Sequence, residues 1–161
     1  MFINKATLLS ALVLLLLTNH ATSKDTTFYI KYTKPRRKTN YFGTYNIAIR
    51  SFNIENGESG VKIGELIKIT WEAVTGSDIG EVSLKIKYGY FRSYKIKTRD
   101  IPPPERVGAY HNHYHISLEG RFLKVLTRRL NKPLSSSIRI KNSEGMIIGK
   151  YRLQIIVTDH L

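Results

Sequence analysis

The sequence predicts an all-β fold, an antiparallel sandwich behind a basic N-terminal arm. Three observations carry that expectation. Apolar residues recur at every second position in run after run, clusters of Gly, Asn, Asp and Pro separate the runs, and no segment holds a long amphipathic repeat of helical period. Strand-length runs of this kind bury one face and wet the other, and two such sheets packed face to face make the smallest closed core. No repeat of 20–50 residues is visible, so a solenoid or propeller is not expected.

From the N-terminus, residues 1–23 read as a secretory signal peptide. Lys5 supplies the positive start, residues 8–17 are almost unbroken apolar, and Ala21 and Ser23 put small side chains before a cut ahead of Lys24. The apolar run is too short to span a bilayer, so no transmembrane segment is expected. Residues 24–44 form the basic arm. Within it, Phe28, Tyr29 and Ile30 are able to pair as a strand, and Lys31, Lys34, Arg36, Arg37 and Lys38 crowd around Pro35. Three readings of Lys34, Arg36, Arg37 and Lys38 stand: a solvated linker, a processing segment cut at Arg36-Arg37, or a nuclear-import or polyanion-binding patch.

Residues 45–161 form the sandwich. Tyr45, Ile47 and Ile49 alternate, then the phase shifts to Phe52 and Ile54, which predicts a bulge near Arg50-Ser51. Ile67, Ile69 and Trp71 form the next apolar face, followed by Val82, Leu84, Ile86 and Tyr88, then Tyr94 and Ile96. Ile138 and Ile140, then Tyr151, Leu153, Ile155 and Val157, complete the set. Turns are expected at Asn56-Gly57, Gly76-Ser77-Asp78, Gly89, Pro102-Pro103-Pro104 and Asn142-Ser143-Glu144-Gly145. Leu118, Phe122, Leu126 and Leu130 recur every four residues and allow a short helix over 118–130, although Val125 and Thr127 favour strand.

Charge is the strongest compositional signal. The chain has 26 Lys+Arg against 12 Asp+Glu, a net charge of +14, which points to an anionic partner or surface. Cysteine is absent, which excludes disulfides, thiol catalysis and thiolate metal centres.

The order of several short motifs resembles a fungal family, the immunoglobulin-like domain of the Ser-Thr-rich glycosylphosphatidylinositol-anchored membrane proteins, related to yeast cell-wall β-glucan assembly proteins. The matching stretches are Gly64-Glu65-Leu66-Ile67-Lys68-Ile69-Thr70-Trp71, Gly80-Glu81-Val82-Ser83-Leu84-Lys85-Ile86, Ile101-Pro102 and Gly108-Ala109-Tyr110. Ser136-Ser137-Ile138-Arg139-Ile140-Lys141-Asn142-Ser143-Glu144-Gly145 follows, running into Ile148-Gly149-Lys150. The resemblance covers residues 47–157 and implies an immunoglobulin-like sandwich of about seven to nine strands. It also implies a non-enzymatic, extracellular, wall-associated role. The resemblance is not expected to extend to the Ser/Thr stalk and anchor tail of that family, and His111-Asn112-His113-Tyr114-His115 stands where the family has an aromatic-Pro element.

Candidate chemistry is sparse. No nucleophile elbow, zincin helix, P-loop or dinucleotide fingerprint occurs, so no catalytic site and no cofactor are expected. Glu55, Glu58, Glu65, Glu72, Asp78 and Glu81 lie near turns or strand ends, and no pair stands out as a glycosidase couple. In a strand, His111, His113 and His115 share one face, with Tyr110, Asn112, Tyr114, Ile116 and Leu118 on the core side. Two such imidazoles are able to share a metal, but a further ligand from another strand is needed and the sequence identifies none. Lys85 and Lys87, and Lys95 and Lys97, fall on one outer sheet face if residues 88–92 turn a hairpin. Arg139, Lys141 and Arg152 also point outward, and Tyr90 and Phe91 at the hairpin tip either stack on a ligand or cap the core edge. The expectation is a secreted binding module contacting cell-wall polysaccharide or an anionic surface through Lys85, Lys87, Lys95 and Lys97. The alternative is a secreted effector that meets a host protein or nucleic acid inside host cells through its basic segment.

Overall fold

The computed structural model of the chain describes residues 26–38 and 47–161. The expected signal peptide, and Tyr45 at the expected start of the sandwich, lie outside the described residues. The fold is all-β. Its strands are β1 (Tyr29–Tyr32), β2 (Arg36–Arg37), β3 (Ile47–Glu55), β4 (Leu66–Thr75), β5 (Glu81–Lys87), β6 (Ser93–Thr98), β7 (Glu105–Val107), β8 (His111–Arg121), β9 (Pro133–Lys141) and β10 (Ile147–Thr158). All pair antiparallel, in two sheets ordered β1-β10-β9-β5-β6 and β3-β4-β8-β7, with β2 also on β10. Seven of the strands run six residues or longer. The first, second and fifth of these lie in one sheet, and the third, sixth and seventh in the other, which is the division of an immunoglobulin-like sandwich.

Alternation explains the core. Ile67, Ile69, Trp71 and Ala73 of β4, with Tyr114, Ile116 and Leu118 of β8, face Val82, Leu84 and Ile86 of β5, Ile138 and Ile140 of β9, and the odd-numbered positions of β10. The Tyr151 hydroxyl crosses between the sheets and donates to the Ile47 carbonyl at 2.7 Å. Gly120 lets the sheets approach at one corner, because a Cβ there would stand 2.6 Å from Ile96 Cδ1. The phase change in β3 is a register shift between Arg50 and Asn53, with Ser51 at φ 54°.

Two local expectations are corrected. Residues 118–130 do not form an α-helix: β8 continues to Arg121 because its ladder with β4 extends to Leu66, and only one 3-10 turn, Lys124–Thr127, follows. Tyr110 does not join the core and is 84% exposed, since β8 begins one residue later and the alternation does not reach back into the turn.

The basic segment runs along the sheet edge. β1 pairs with the end of β10, β2 pairs with Tyr151 and Arg152, and the Lys38 amide donates to the Lys150 carbonyl. Pro35 sits between β1 and β2, the edge position where a missing N–H costs no ladder bond.

Candidate polyanion-binding face

The outer face of the β1-β10-β9-β5-β6 sheet collects the cations. Because antiparallel partners share a face, the register alone reads out ranks across the sheet. One rank is Arg36, Arg152, Ser137, Lys85 and Lys95. It crosses five strands, a span of roughly 19 Å at about 4.8 Å per strand. The next rank is Lys150, Arg139, Ser83 and Lys97. Lys87 lies opposite Ser93 toward the hairpin end. Lys85, Lys87, Lys95 and Lys97 are therefore on one face, as are Arg36 and Arg152 from far apart in the sequence. Lys85 and Lys95 are direct cross-strand partners, a like-charge pairing that weakens a sheet.

The serines make the relief. Ser83, Ser93 and Ser137 floor a shallow depression walled by Lys85, Lys95 and Arg139. A second hollow at the sheet edge is lined by Lys34, Arg36, Arg37, Lys38 and Arg152. Tyr90 and Phe91 do not cap the core: they are 82% and 92% exposed at the hairpin tip, with ring centroids 4.5 Å apart, edge to face. Lys87 Nζ stands 6.0 Å from the centroid of the Tyr90 ring.

Glu81 is the one acid among the strand residues of this face. Its carboxylate accepts from Arg99 Nε at 2.8 Å and lies 3.8 Å from Lys141 Nζ. The Arg99 hydrogen bond, with the charges of Lys141, Arg99 and Lys97, holds the Glu81 carboxyl below its ordinary value against the opposing effect of burial. A depressed folded pKa adds stability above the unfolded value, lost as pH falls through the folded one. Stability should accordingly decline below about pH 4.5 in part through Glu81, and Glu81→Gln should flatten that acid limb in urea titrations run across pH. The same variant removes the face's negative charge and should strengthen retention on heparin.

The opposite sheet holds the histidines. His113 and His115 lie on the outer face of β8, beside Glu72 of β4, which the register sets opposite His115. His111 pairs with Val107 at the strand's start and is apart from that group. Glu55 ends β3, Glu58 is exposed in a turn, and Glu65 and Asp78 are exposed in irregular backbone, so the structure does not gather these carboxylates into one site. No described helix is long and apolar enough to cross a membrane.

These features define a two-sheet β-sandwich with one strongly cationic sheet face. No family model matches the chain, and comparison with curated proteins and with solved structures found no significant match.

Proposed function

We propose that this protein is an exported, non-enzymatic binding module that holds an extended polyanion of a cell surface or wall across the outer face of its larger sheet. The observation that supports this most is the rank Arg36, Arg152, Ser137, Lys85, Lys95. Like charges set opposite one another cost sheet stability, and an anionic chain laid across the strands offsets that cost. The ladder of small serines between long basic side chains gives a backbone room to lie close. Tyr90 and Phe91 extend the face with exposed rings suited to stacking on sugar faces. The resemblance to a fungal wall-associated family points to the same setting.

The effector reading, through Lys34, Arg36, Arg37 and Lys38, has less support. Import receptors and processing proteases take free extended segments, whereas Arg36 and Arg37 are paired into the sheet through β10. The separating experiment is retention of the purified protein on heparin, on DNA, and on insoluble β-glucan and chitin, at low and high salt. Salt-sensitive binding to heparin and to wall material that exceeds binding to DNA supports the proposal, whereas retention on DNA above heparin and wall material favours the effector reading. Salt-resistant binding to uncharged glucan, or no retention on any polyanion, overturns it.

A further inference from the structure

The outer face of the smaller sheet carries a cluster that the basic face does not involve. Glu72 of β4 lies opposite His115 of β8, and His113 is the next residue on that face of β8. His113 Nε2 is 3.6 Å from Glu72 Oε2, and His115 Nδ1 is 3.7 Å from Glu72 Oε1. The two imidazoles tilt by 32° with centroids 4.9 Å apart. One donor atom from each residue falls within 4.8 Å of the other two.

These separations are informative. They exceed the 2.7–3.2 Å or so of a hydrogen bond. The two imidazole–carboxylate distances, each to a different Glu72 oxygen, are close to what a shared ion demands, since two donors each about 2.0–2.1 Å from a tetrahedral zinc stand about 3.3 Å apart. His113 Nε2 is moreover buried without a hydrogen-bond partner among the described residues. Buried polar nitrogens almost always find one. An ion between the carboxylate and the two imidazoles satisfies that nitrogen.

We propose that Glu72, His113 and His115 form a binding site for a divalent first-row transition ion, zinc foremost. Imidazole and carboxylate donors suit zinc and copper(II), whereas calcium and magnesium prefer all-oxygen shells. Three protein donors leave a coordination position open, at a cluster whose His115 side chain is 60% exposed. A water, or a donor from a second molecule, completes the shell. Arg50 lies opposite Glu72 from β3, and Glu105 lies opposite His113 from β7, so the cluster sits between a cation and a further carboxylate.

The test is calorimetric titration of zinc sulfate into tag-free protein stripped with a chelator, with millimolar magnesium and calcium present. One equivalent of zinc should bind. His113→Ala, His115→Ala and Glu72→Gln should each lower affinity by more than about 100-fold, the upper end of what loss of an outer-shell partner costs a metal site. His111→Ala, outside the cluster, should bind as the parent protein does. Far-UV circular dichroism of each variant controls for folding, and the exposed His115 makes its replacement the safest of the three. Absence of stoichiometric zinc uptake by the parent protein overturns the proposal. So does uptake that survives both folded histidine variants.

Discussion

Trp71→Ala should remove about 3–5 kcal/mol of stability, the usual cost of emptying a large aromatic site. A small domain has only about 5–15 kcal/mol in total, so the variant should unfold at much lower urea or fail to accumulate. Trp71 is 2% exposed, sits mid-strand in β4 between Ile69 and Ala73, and stacks on Phe52 at 5.9 Å. Phe52 in turn meets Tyr32 edge to face at 5.4 Å, so one aromatic row joins β4 and β3 to β1 of the other sheet. Trp71→Phe should behave differently. The Trp71 Nε1–H is buried with no acceptor among the described residues, and such a group carries a desolvation penalty of about 1–3 kcal/mol. Phenylalanine removes that penalty while keeping a ring, so its cost should fall well below that of alanine. Urea unfolding followed by far-UV circular dichroism measures both. A Phe variant as damaged as the Ala variant would show that the indole shape, not the aromatic volume, is what the core requires.

How much of this was legible in the sequence depends on the range of the interaction involved. Alternation is local, so the core faces of β4, β5, β9 and β10 could be read residue by residue, and the slip of phase after Ile49 located the β3 irregularity. Pairing is not local. The basic segment at Arg36 and the strand residue Arg152 each read as outward cations, but their shared rank exists only because β2 docks on β10. The same holds for the histidines. The His113–His115 spacing was visible, whereas the carboxylate beside them comes from β4, and nothing near Glu72 in the chain sets it apart from other strand acids. Four-residue recurrence over Leu118, Phe122, Leu126 and Leu130 suggested a helix because it fits that period. The ladder with β4 carries the chain as strand to Arg121 instead, and the buried side chains of Phe122, on irregular backbone, and Leu126, in the 3-10 turn, follow it. Tyr90 and Phe91 show a further limit, since apolar residues at a hairpin tip read equally well as core cap or exposed platform.

Charge reversal along the basic face should abolish polyanion binding without harming the fold. Each cation that contacts a polyanion contributes close to one decade of affinity per decade of salt, by counterion release. Replacing Lys85, Lys87, Lys95 and Lys97 together by Glu should therefore lower affinity for heparin by at least roughly 10³-fold at 0.1 M salt and flatten the salt dependence by about four contacts. The stability change should have the opposite sign for a narrower variant. Lys95→Glu alone sets a carboxylate opposite Lys85, turning a repulsive cross-strand pair into an attractive one, a gain of about 0.2–1 kcal/mol. A protein that gains stability and loses binding from one exposed substitution cannot owe the loss to misfolding. Salt-gradient elution from heparin and urea unfolding of the same sample measure the two quantities together. If Lys95→Glu elutes at the parent's salt concentration, the ligand does not lie across β5 and β6, and the edge hollow at Arg36 and Arg152 becomes the place where the charge acts.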